Sequence, residues 1–171
     1  LIIQLLILDL FFPVHYRPLI LPGYFSPYPW PDGYYQPDPP ELNQDLDSLP
    51  FIDRKLVKSH LYQREFNMKG RPFYYIMSGR DCPWGRCAFC SWTTMYPCFQ
   101  VRSVENVLDE IGQLIEKHGA KEIFDDSGTI APGKWLEDFC KGMIKRGYNK
   151  KVYYSCNMRF DYLNPEIAKL M

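Results

Sequence analysis

Three cysteines within nine residues constrain this chain more than any other feature. Cys82, Cys87 and Cys90 are spaced C-x4-C-x2-C in Ser78-Gly-Arg-Asp-Cys-Pro-Trp-Gly-Arg-Cys-Ala-Phe-Cys-Ser91. Gly79, Pro83 and Gly85 lie around and between them. Thiolates on a backbone turned by Gly and Pro suit a soft metal, because the chain must curl to aim several sulfurs at one point. A tetrahedral zinc site takes four protein ligands, usually as two separated pairs. An ordinary iron–sulfur cluster also takes four cysteines. Three in one loop leave a position open, which invites a substrate or cofactor onto the metal. The alternative is a non-catalytic zinc or iron–sulfur module closed by Cys98, C-x4-C-x2-C-x7-C, although it lacks the two-pair layout. A disulfide framework fits poorly, since Cys87 and Cys90 are too close in sequence to staple distant elements.

The loop resembles the signature of the radical S-adenosylmethionine (SAM) enzymes. The resemblance implies that Cys82, Cys87 and Cys90 hold a [4Fe–4S] cluster, that SAM chelates the fourth iron, and that Phe89 lies near the adenine. The usual spacing in that family is C-x3-C-x2-C. Here one extra residue falls in Trp84-Gly85-Arg86, which could take it up as a small bulge. Asp45-Leu-Asp-Ser-Leu-Pro-Phe-Ile-Asp-Arg54 resembles the connector that precedes the core in the cobalamin-linked branch of the family. That likeness implies cobalamin carried by an upstream domain, assignable to no residue of this chain. It also implies an electron donor such as a flavodoxin or ferredoxin, and leaves the substrate unknown.

The bulk composition excludes several classes. Lys and Arg number 20 and Asp and Glu 20, so the formal charge is zero and nothing marks a nucleic-acid binder. Leu1–Phe12 is apolar but broken by Gln4 and Asp9 and stopped by Pro13, well short of the about 20 residues that span a bilayer. It lacks the basic start and cleavage site of a signal peptide. The expectation is therefore a cytoplasmic protein without membrane association, and a piece of a longer one. Prolines crowd among tyrosines in residues 13–40, deny backbone donors and block regular elements. Residues 1–44 thus read as an irregular arm, 45–70 as a linker and 71–171 as a truncated core.

Within the core, Pro72–Ser78 reads as a buried strand running into the cysteine loop. Ser103 is a helix N-cap, and Val104, Val107, Leu108, Ile111, Leu114 and Ile115 recur at helical spacing up to Gly119. Lys121–Asp125 is a second strand. A second helix follows Pro132, with Trp135, Leu136, Phe139, Cys140, Met143 and Ile144 on one face, and ends at Gly147. Lys151–Ser155 is a third strand, and Asn164-Pro165-Glu166 opens a third helix. Strands alternating with helices call for an α/β fold with a parallel sheet. With the resemblance, this reads as the first half of a parallel (β/α) partial TIM-type barrel behind an irregular Pro/Tyr-rich arm.

Ligands of such folds gather at the carboxyl ends of the strands. That rule brings together the cysteine loop, Asp125–Thr129 and Cys156–Arg159. The resemblance places Asp126, Ser127 and Gly128 against the SAM amino group. It places Arg159 on the SAM carboxylate or against Asp126, with an ordinary surface pair with Asp161 as the alternative, while Asp125–Gly128 also reads as a turn capping the next helix. Cys140 reads as core, and Cys156 as either core or pocket lining. His15, His60 and His118 have no metal-ligand spacing. Replacing Cys82, Cys87 or Cys90 with Ala is expected to abolish iron binding, and Cys140→Ala to leave it intact, as counted after anaerobic reconstitution.

Overall fold

The computed structural model describes residues 45–62, 69–96 and 98–171. The expected arm, His15 and the apolar stretch at 1–12 lie outside the described residues, as does the side chain of His60. The described part is an α/β unit built on three parallel strands: β1 (Phe73–Ile76), β4 (Glu122–Asp125) and β5 (Tyr153–Cys156), with β4 in the middle. The register sets Ile76 beside Asp125 and Asp125 beside Cys156, so the three strands end level. A second, two-residue ladder pairs β2 (Gly79–Arg80) antiparallel with β3 (Gln100–Val101).

Four α-helices and several short 3-10 turns accompany these strands among the described residues. The short α1 (Trp92–Met95) lies inside the cysteine loop. The others are α2 (Val104–His118), α3 (Lys134–Lys145) and α4 (Pro165–Leu170). Their ends follow the local signals. Ser103 Oγ accepts from Asn106 N, and Gly119 closes α2 in the left-handed region (φ 65°), where a side chain would be strained. Asn164 accepts from the N–H groups of Glu166 and Ile167, with Pro165 at the first helical position.

The core lies between one face of the sheet and these helices. Tyr74, Ile76 and Ile123 meet Val107, Leu108, Ile111 and Leu114 of α2 and Leu136, Phe139, Cys140 and Met143 of α3. Fully burying an aliphatic side chain of this kind contributes about 1.5–3 kcal/mol, so the stripes of α2 and α3 fix how these helices lie. Ile144 departs from expectation. It is 47% exposed, at the margin of the stripe. No helix among the described residues is long and apolar enough to cross a membrane.

Residues 45–62 are bound to this unit by specific polar contacts. Leu46 is buried, and the Asp47 carboxylate accepts from Ser103 N at 2.9 Å, beside the start of α2. Arg54 donates to the Tyr75 carbonyl (2.7 Å) and to Glu110 Oε1 (3.2 Å). Glu110 also accepts from Arg102 Nη1 at 2.6 Å. All three side chains in this ion triad are nearly inaccessible, and removing one member of a buried pair strands a charge. Glu110→Ala is expected to cost about 3–5 kcal/mol in urea denaturation. Arg146→Ala, which breaks more exposed pairs with Glu105 and Asp109, should stay within about 1 kcal/mol.

Candidate functional site at the strand tips

The site begins with the carboxylate of Asp125, which sequence reading placed at the head of the strand-tip segment Asp125–Thr129. Asp125 ends β4, is fully buried, and accepts five hydrogen bonds. Ser78 reaches it from the end of β1 with its N–H (3.0 Å) and its hydroxyl (2.5 Å). Ser127 reaches it from the following turn with N–H (3.2 Å) and hydroxyl (2.6 Å). The Tyr154 hydroxyl closes the set from β5 at 2.8 Å. A charge this deep is tolerable only when donors surround it. Burial, followed by the charge of Asp125, pushes the Tyr154 phenol well above its usual range, so it remains a donor. Its sequence neighbours Phe124 and Asp126 gave no sign of it, since most of its donors come from Ser78 and Tyr154, far off in the chain.

That carboxylate anchors the entry to the cysteine loop. Gly79 N donates to Ser127 Oγ at 3.0 Å, and β2 then pairs with β3. A Cβ on Gly79 would lie 2.6 Å from the Gln100 carbonyl, so the close approach needs glycine. Arg102 N donates to Ser78 O at 2.9 Å, and Arg102 Nη1 to Met77 O at 3.1 Å. Residues 81–99 therefore leave and return through one narrow neck. The two-residue ladder was invisible to periodicity, which needs four or more alternating positions.

The loop lies against the tips of the other two strands. A Cβ on Gly128 would come within 2.7 Å of the Asp81 carbonyl and 3.4 Å of the Trp92 ring. The Arg159 guanidinium stacks over the Trp84 ring at 4.2 Å. The turns after β4 and β5 are joined in their own right, with Ile130 N donating to Asn157 O at 2.9 Å and Asn157 Nδ2 to Ser127 O at 3.4 Å. The three segments that topology brings together thus meet in space.

Cys82, Cys87 and Cys90 are half-buried, and none of the six cysteines is in a disulfide. Among the described residues, no three Cys, His, Asp or Glu side chains are drawn together as a metal ion would require. In kind, the donors suit a soft metal, with three thiols, partly open to solvent, on a loop held at both ends. Phe89 is 92% exposed beside Cys90. Asp126 points its carboxylate outward, and partial desolvation, then the charge of Asp125, pushes it above the usual range. Ser127 uses its hydroxyl inside the Asp125 network, and Gly128 is filled by close packing rather than left open. Arg159 pairs with Asp161 at 2.7 Å on the surface, in addition to its contact with Trp84.

Cys140 is buried in the core. Cys156 packs on the core and lines a cavity with Phe139 and Met143. Burial, followed by the charge of Asp125, pushes the Cys156 thiol up to about 11, so at neutral pH it is protonated and a poor ligand. His118 ends α2 with its ring 5.7 Å from that of Tyr74.

Asp125→Ala is expected to cost at least about 3 kcal/mol, since it strands donors from three segments. Tyr154→Phe, which removes one donor, should cost about 1.5–3 kcal/mol in the same urea titration.

Comparison with known proteins adds relatives to this geometry. Over 82 residues the chain is 38% identical to the anaerobic magnesium-protoporphyrin IX monomethyl ester cyclase of Cereibacter sphaeroides, covering 47% of this chain and 13% of that protein. Over 144 residues it is 28% identical to an uncharacterized methyltransferase of Pyrococcus horikoshii, covering 82% and 30%. Over 101 residues it is 33% identical to the bacteriochlorophyllide d C-12(1)-methyltransferase of Chlorobaculum tepidum, covering 56% and 21%. No protein-family model and no solved structure matches. The chain spans less than a third of the length of these curated relatives, and over that part it is related to proteins named as enzymes, one a cyclase and two methyltransferases.

Proposed function

We propose that this chain is part of a radical SAM enzyme and that its α/β unit is the opening portion of a parallel (β/α) partial barrel. The observation that carries the reading is the loop itself. Three thiols in nine residues sit on a segment pinned by the β2–β3 neck, against the tips of β4 and β5. The relatives named above support an enzyme, and their names cover both ring closure and methyl transfer. The reading therefore stops at the step such enzymes share.

In this reading Cys82, Cys87 and Cys90 would hold a [4Fe–4S] cluster, with SAM bound beside it. Such a cluster would supply the one-electron chemistry for reductive cleavage of SAM. The chain's own residues bind and orient. Asp126 offers an outward carboxylate to the SAM ammonium, while Ser127 and Gly128 shape the turn that presents it. Arg159 offers a guanidinium to the SAM carboxylate once it exchanges Asp161 for the ligand. Phe89 is exposed and suited to cover the adenine. An electron donor such as a flavodoxin or ferredoxin and a reducing, cytoplasmic setting belong to the same proposal. Cobalamin belongs to an upstream domain.

The test uses the complete protein, purified without oxygen and reduced. It is expected to convert SAM to 5′-deoxyadenosine and methionine, and its Cys87→Ala variant to form none. Zinc in place of iron in the anaerobic protein, with no SAM cleavage, would overturn the assignment in favour of a structural metal module.

A further inference from the structure

Asp81 stands immediately before the first cysteine of the loop and is 5% exposed. Its backbone is left-handed, with φ 64°, a conformation that Asp tolerates better than most residues. Its carbonyl packs against Gly128. The N–H of Cys82 donates to its carboxylate. The other carboxylate oxygen, Oδ1, is buried with no hydrogen-bond partner, alone in that respect among the described residues. The sequence explains why. Asp at a turn ordinarily receives the N–H two residues on. Here that residue is Pro83, which has none. A buried acceptor left unpaired is a standing cost to the fold, and native structures rarely keep one without a use for it.

Trp84, Gly85 and Arg86 carry the next N–H groups along the chain. Gly85 already turns the backbone through a positive φ of 56°. The loop's one residue beyond C-x3-C-x2-C falls in this same stretch. Resting on the cluster reading above, we propose that Asp81 is a positioning residue for the metal loop. Its Oδ1 receives a backbone N–H from the Trp84–Arg86 stretch when Cys82, Cys87 and Cys90 draw together around iron. The added residue then supplies the donor that Pro83 cannot, and the acceptor is paired only in the loaded state.

Asn is isosteric with Asp and also tolerates the left-handed backbone. It offers a single acceptor, however, and with that on the Cys82 N–H its amide nitrogen would face the incoming donor. Gly removes both acceptors and eases the backbone. The whole chain, wild type, Asp81→Asn and Asp81→Gly, is reconstituted anaerobically with ferrous iron and sulfide. Three quantities are read: the rate of iron loss to a chelator, the electron paramagnetic resonance spectrum of the reduced cluster, and the melting temperature of metal-free protein. Both variants are expected to lose iron about tenfold faster, with an altered spectrum. Metal-free Asp81→Gly is expected to melt at or above wild type. Wild-type rates of iron loss in both variants overturn the positioning role and leave the cluster assignment standing. A wild-type chain that takes up no iron overturns both. A metal-free Asp81→Gly that melts well below wild type shows that the oxygen already serves the empty fold, and so overturns the positioning role alone.

Discussion

The buried carboxylate of Asp125 is the interaction on which the arrangement of the strand tips depends. It draws donors from the end of β1, the turn after β4 and the side chain of Tyr154 in β5. Placing a charge at zero exposure is costly, and only a full ring of donors offsets that cost. An apolar residue could fill the same volume, but it would not dictate where Ser78 and Ser127 point. Ser78 opens the cysteine loop and Ser127 lies within the acidic turn, the two segments of greatest interest. One polar network thus sets the position of both.

The second constraint is the clamp around the neck. Arg102 binds the Met77 carbonyl, Glu110 and Asn106, and Glu110 in turn holds Arg54. A long side chain so fully engaged loses its freedom once and then orients several backbone groups. The cysteine loop is therefore fixed where it enters and leaves, with its thiols half-exposed between. Loops that carry chemistry are commonly supported in this way, rigid at the scaffold and adaptable at the ligand end. Among the described residues, the buried acceptor without a partner, on Asp81, falls at the junction of the two regimes.

Helices were legible in the sequence because their signals are local. Ser103, Gly119, Asn164 and Pro165 act on backbone groups within one turn, and the structure uses each as its type suggests. The buried faces of α2 and α3 follow the 3.6-residue period closely, and Ile144 strays because it lies at the margin of its stripe. Strand boundaries were less secure. β5 runs from Tyr153 to Cys156, against the expected Lys151–Ser155. The β2–β3 ladder left no periodic trace at all, since it arises from the close approach permitted by Gly79 and is stabilised by a residue twenty positions further on.

The sequence by itself determined the alternation of strands and helices, their caps and the cluster of three thiols, since each depends on neighbours a few residues apart. From the order of elements it also determined that the cysteine loop, the acidic turn and the segment after β5 share one end of a parallel sheet. Only the tertiary structure decided how those segments touch. Gly128 is packed under Asp81, Trp84 lies beneath Arg159, and the Ser127 hydroxyl is turned inward. Apart from the local bond of Ser127 to Asp125, those outcomes depend on groups brought together from far apart in the chain, as when Gly79 N reaches Ser127 Oγ, where no local propensity reaches and where burial alone makes an unmatched polar atom expensive.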